Sequence, residues 1–116
     1  MPVDTYQDVR LGASDVGREH ERIAFDQGLA LMEAAAATPA ERTKRLEAAR
    51  YMQTLWGFLI RDLSHPANDL SDGLKANLIS IGLWVMRQTD KIIADESDDW
   101  DALIEINRTV REGLAT

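Results

Sequence analysis

The stretch LISIGLWVM, residues 78–86, holds eight non-polar positions in nine when Gly82 is counted, with Ser80 the one polar side chain. The chain around it carries a formal net charge of −7. A bilayer-spanning helix needs about 20 consecutive apolar residues, so this run is too short to cross a membrane and has to be buried in protein. Extended in both directions, the run keeps helical spacing. Leu74, Leu78, Ile81, Val85 and Ile92 share one stripe, and Ile79, Leu83, Met86 and Ile93 make a second. Asn77, Ser80, Arg87 and Lys91 leave one narrow polar edge. A helix that is apolar most of the way round belongs at the centre of its fold, with Gly82 a point where another helix can come close.

Working outward, the flanking segments read as three further helices. The expected fold is all-α, a compact bundle of four main helices in a single domain over residues 1–116, with 1–13 as an N-terminal segment. The first helix runs from Ser14 to about Ala37, with Val16, Ile23, Ala30, Ala34 and Ala37 on its core side; Gly17 and Gly28 weaken it. The second is marked by TPAE at 38–41: Thr38 at the cap, Pro39 at the first helical position and Glu41 where a capping box wants an acid. Its core face is Ala49, Met52, Trp56, Leu59, Ile60 and Leu63, and Pro66 ends it in the turn SHPAND. The third helix starts near Ser71. The acidic run DESDDWD, 95–101, reads as a turn leading into a fourth helix, whose N-terminus favours negative charge. Trp100, Leu103, Ile106, Val110 and Leu114 form its core face, with Asn107 in the middle. That Asn either fixes register through a buried hydrogen bond or reaches a partner.

Composition narrows the function. A chain of 116 residues that is 45% hydrophobic suits one domain. The absence of cysteine excludes disulfides, thiolate metal sites and cysteine nucleophiles. The N-terminus MPVDTYQDVRLG has no basic segment followed by an apolar one, so a cytoplasmic location is expected. With 20 acidic against 13 basic residues, phosphate backbones are disfavoured unless cations cluster. The one modest basic patch is Arg42, Lys44, Arg45 and Arg50, interrupted by Glu41 and Glu47.

Catalytic and metal patterns are lacking. His20 and His65 are without metal-ligand spacing, and there is no phosphate-binding loop, dinucleotide glycine pattern or nucleophile elbow. No enzyme activity, cofactor or metal is expected. NDLSDG, aligned on Gly73 as a calcium loop, puts Leu70 at the third ligand position and Ile79 at the twelfth. DESDDWD has oxygen ligands but no glycine turn and no closing Glu.

What stands out instead is surplus apolar surface. Tyr51, Leu55, Phe58 and Asp62 run i, i+4, i+7, i+11 beside the second helix's core stripe, and Phe25, Leu29, Met32 and Ala36 repeat that spacing on the first helix. Either an irregular bundle buries all of it, or part forms a groove for an amphipathic helix from another protein.

These same segments resemble a known family. LWGFLIRDL at 55–63, Asn68 and Leu70, LKANLISIGLWVMRQ at 74–88 and LIEINRTVREGL at 103–114 follow the order and spacing of the flagellar biosynthesis regulator FlaF family of alphaproteobacteria. In the first third, only Tyr6 and ALMEA at 30–34 are similar. The family's recurring positions correspond to Trp56, Trp84, Asn68, Asn107 and Arg108. The resemblance implies a small cytoplasmic helical protein required for flagellin production or secretion, working alongside the partner regulator FlbT, which influences flagellin mRNA translation. It also implies that unassembled flagellin, whose terminal helices pack only in the filament, is the molecule with apolar faces to cover.

The leading expectation is therefore a flagellin-binding chaperone and regulator, with flagellin helices docking across the second and third helices on Tyr51, Leu55, Phe58, Trp84 and Met86. A second is a post-transcriptional regulator acting on flagellin mRNA, directly or with FlbT. A third is a homodimer serving as an adaptor for that partner.

Overall fold

The computed structural model describes residues 15–113, with side chains from residue 19 onward. Val16 as a packing residue, Leu114 and the N-terminal segment lie outside the described side chains. Four helices follow one another: α1 (Asp15–Ala37), α2 (Arg42–Leu63), α3 (Asp72–Ile93) and α4 (Asp101–Gly113). Among the described residues there is no strand. Short connections make each helix antiparallel to the last, and the four stand at the corners of a square. Neighbours pack as α1 on α2, α2 on α3 and α4 on α1, while α3 and α4 barely approach. The expected all-α bundle is therefore present, with one side of the square left loose.

The centre is Trp56, fully buried, with Phe25 edge-on to it at 5.8 Å between ring centroids and 85° between planes. Met52, Leu59 and Leu63 continue that face of α2, and Met32, Val85, Ile92 and Leu103 from the other helices, with Trp100 just before α4, close on it. Gly82 brings α3 against α2: a Cβ there would lie 2.9 Å from Ile60 and from Trp56.

Two expectations are corrected. In α1 the core side is Phe25, Leu29, Met32 and Ala35, whereas Ile23 is 46% exposed and Ala30, Ala34 and Ala37 are exposed. The larger side chains win because burying Phe, Leu and Met removes far more apolar area from water than burying alanines. TPAE does not form a capping box. The Thr38 hydroxyl donates to the Ala34 carbonyl at 2.8 Å, Glu41 N–H donates to the Thr38 carbonyl at 2.9 Å, and α2 begins at Arg42 with no side-chain cap from Glu41. The free carbonyls ending α1 capture the hydroxyl, so Thr38 closes one helix rather than opening the next.

The third helix starts as expected, with Ser71 Oγ accepting from Leu74 N–H at 3.3 Å. It ends with Asp95 in the left-handed region at φ 60°, where Glu96 N–H donates to the Lys91 carbonyl at 2.8 Å and Asp95 N–H to that of Ile92 at 3.1 Å. Its apolar surface is less enclosed than the pattern implies: Gly82, Val85, Thr89 and Ile92 are buried, while Leu74 and Leu83 are exposed. No helix among the described residues is long and apolar enough to cross a membrane.

Candidate functional site

The loose side of the square follows from how α4 is held. Asn107 Oδ1 accepts from Trp56 Nε1 at 2.8 Å and its Nδ2 donates to the Leu103 carbonyl at 2.8 Å, both inside the core. On the flank facing α1, Arg108 Nη2 donates to Glu33 Oε1 at 2.7 Å, and Arg111 Nε and Nη2 donate to the two oxygens of Asp26 at 2.9 and 3.2 Å. The bidentate guanidinium holds the Asp26 carboxyl below the usual carboxylate range, against a smaller upward push from burial. These side-chain attachments of α4 thus face α1 or α2. Its Ile106 reaches the side next to α3, and Ile106 and Val110, one turn apart, stay half-buried.

Opposite them, α3 presents Ile81 and Trp84. Ser80, Ile81, Trp84 and Ile106 line an open cleft of about 300 Å³ whose walls are almost wholly apolar. A surface of this kind is suited to taking an apolar helix face, with one aromatic ring available as an anchor.

The five residues expected to act as anchors are not brought to one surface. Trp84 lies in the cleft. Tyr51 is half-buried and its hydroxyl donates to the Ala24 carbonyl of α1 at 2.8 Å, with burial pushing its phenol pKa up. Leu55 is half-buried against the core. Met86 lies on the seam with α2, its Cε 3.8 Å from where a Cβ on Gly57 would be. Phe58 alone points outward, 63% exposed, with the Arg61 guanidinium 5.7 Å from its ring centroid. Ile81 and Ile106 belong to the cleft although periodicity assigns both to core stripes. Spacing gives the apolar face of a helix but not which neighbour is missing from it.

The recurring polar positions serve the fold. Asn68 is buried and its Oδ1 accepts from Leu70 N–H at 3.1 Å in the turn before α3, Asn107 bonds Trp56, and Arg108 ties α4 to α1. The basic patch on α2 is largely neutralised: Arg42 and Arg45 pair with Asp95 at 2.5 and 3.2 Å and Lys44 with Glu41 at 3.5 Å. Among the described residues, no group of three acidic or histidine side chains converges as a metal site would require.

A family model described as flagellar protein FlaF matches residues 3–114, nearly the whole chain. No curated protein and no solved structure matches it.

Proposed function

Because the chain belongs to the flagellar protein FlaF family, we propose that it binds unassembled flagellin in the cytoplasm, covering an apolar helix face of the subunit in the α3–α4 cleft before export. It acts by binding, without catalysis. Regulation of flagellin synthesis or export then follows from how much subunit is held, with the FlbT regulator as a further partner. The observation that carries this reading is the unpartnered apolar cleft of Ser80, Ile81, Trp84 and Ile106 in an otherwise closed bundle. An amphipathic helix laid between α3 and α4 completes the side of the square that α4 leaves open. The surplus of acidic residues keeps such a complex soluble.

The test is a calorimetric titration of the purified protein with monomeric flagellin and, separately, with flagellin leader RNA at physiological salt. Stoichiometric binding to flagellin with a negative heat-capacity change is expected, since apolar area leaves water. Ser80→Gln puts a hydrated amide in the cleft from an exposed position, and is expected to weaken binding at least tenfold without altering thermal unfolding. Binding to RNA and not to flagellin would replace this reading with direct action on the message.

A further inference from the structure

Resting on that cleft reading, we propose that Arg87 and Lys91 form a cationic shoulder of the cleft, so that its occupant is an amphipathic helix carrying carboxylates alongside its apolar stripe. Ser80, Trp84, Arg87 and Lys91 follow i, i+4, i+7, i+11 along α3, so both cations continue the stripe that lines the cleft. Both are exposed.

Their freedom sets them apart in this acidic chain. Among the described residues, six Lys and Arg side chains hold a carboxylate. Lys75 donates to the Asn68 carbonyl and Arg61 lies over Phe58. Arg50, Arg87 and Lys91 have no ion pair or hydrogen bond to a described side chain. Two of these three, Arg87 and Lys91, lie on the continuation of the α3 stripe that carries Ser80 and Trp84 into the cleft. Cations left unpaired beside an apolar channel, in a protein with acid to spare, are placed to meet acid on an incoming surface.

The opposite shoulder fixes the direction. On α4, Glu105 precedes Ile106 of the cleft and is exposed, with no cation among the described residues paired to it. A carboxylate on the occupant is drawn toward α3 and repelled from α4, which sets the rotation of the bound helix about its axis. Arg87 and Lys91 are one turn apart, so acids at i, i+3 or i, i+4 on the occupant match them.

The experiment is the titration of the full chain with monomeric flagellin at low and at physiological salt, comparing wild type with Arg87→Glu/Lys91→Glu and with Arg87→Gln/Lys91→Gln. Binding is expected to fall at least tenfold in the Glu pair and less in the Gln pair, with the salt dependence flattened in the Gln pair and reversed in the Glu pair, and thermal unfolding unchanged. Unaltered affinity in both pairs, while Ser80→Gln still weakens binding, would overturn the shoulder and leave the cleft in place. Insensitivity to all three changes would overturn the cleft as well. Tighter binding in the Glu pair would mean a basic occupant, and would also overturn the proposal.

Discussion

Trp56 Nε1 donates to Asn107 Oδ1 at 2.8 Å between two fully buried side chains on α2 and α4, helices that stand diagonally across the bundle. Their backbones do not otherwise meet, so this bond reaches through the core to set how α4 is rotated. With Asn107 turned inward, Ile106 is directed toward α3 and Arg108 and Arg111 toward α1. The open cleft is in this sense a consequence of one buried polar contact.

That contact gives the first prediction. Trp56→Phe keeps an aromatic ring but strands the Asn107 oxygen, and Asn107→Leu strands the indole N–H; each is expected to cost about 1–3 kcal/mol in urea unfolding. The double variant Trp56→Phe/Asn107→Leu leaves neither group unpaired, and is expected to be more stable than the sum of the two losses implies. Additive losses would mean that the bond does not couple the two residues.

Two helical glycines are expected to behave oppositely. At Gly82 a methyl group would lie 2.9 Å from Ile60 and Trp56, so Gly82→Ala overpacks the α2–α3 seam, at about 1–3 kcal/mol. At Gly57 the nearest atom is Met86 Cε at 3.8 Å, an ordinary contact. Gly57→Ala is therefore expected to stabilise by up to about 1 kcal/mol through helix propensity. Denaturant midpoints of the two variants relative to wild type check both signs.

The helices, their order, the buried Asn107 and the close approach at Gly82 were legible in the sequence because period, caps and a lone polar residue in an apolar face are local signals. The core side of α1 was not. Its alanines and its Phe25, Leu29 and Met32 each make a helical stripe, and only the volume of the neighbouring core selects between them. Thr38 is ambiguous in sequence for a related reason: its hydroxyl has carbonyls within reach behind it as well as amides ahead. The site was half legible. Trp84 carried a signal, but Ile81 and Ile106 had the same spacing as true core positions, and the looseness between α3 and α4 is a property of the assembled square.

The pair Asp26–Arg111 predicts a pH dependence. Asp26 has a lower pKa folded than unfolded, so its contribution is complete above the ordinary carboxylate value of about 4 and is lost as pH falls through the folded-state value. Asp26→Asn is therefore expected to be less stable than wild type at pH 7, with the gap closing below pH 4. The pair is partly exposed, so the gap is small and shrinks at high salt. Thermal unfolding of both proteins from pH 7 to pH 3, at two salt concentrations, gives the comparison. A gap that widens toward acid would mean that Asp26 is destabilised by its surroundings.

The last prediction separates the cleft from Phe58, the most exposed large apolar side chain among the described residues. Phe58 is 63% exposed with the Arg61 guanidinium over its ring, and isolated surface hydrophobics are common. Phe58→Asp is accordingly expected to change stability by no more than about 0.5 kcal/mol and to leave flagellin affinity as it is. Trp84 is half-buried in a cleft whose remaining walls are Ile81, Ile106 and Ser80, so a docked helix would enclose its ring. Truncating an enclosed aromatic anchor typically costs about 2 kcal/mol or more of binding, roughly thirtyfold in Kd. Trp84→Ala also loses some packing, so its unfolding curve has to be measured beside its affinity, with binding compared at a temperature where both proteins are folded. If Phe58→Asp rather than Trp84→Ala removed binding, the partner would dock on the outer face of α2, and the open side of the square would be a packing defect with no occupant.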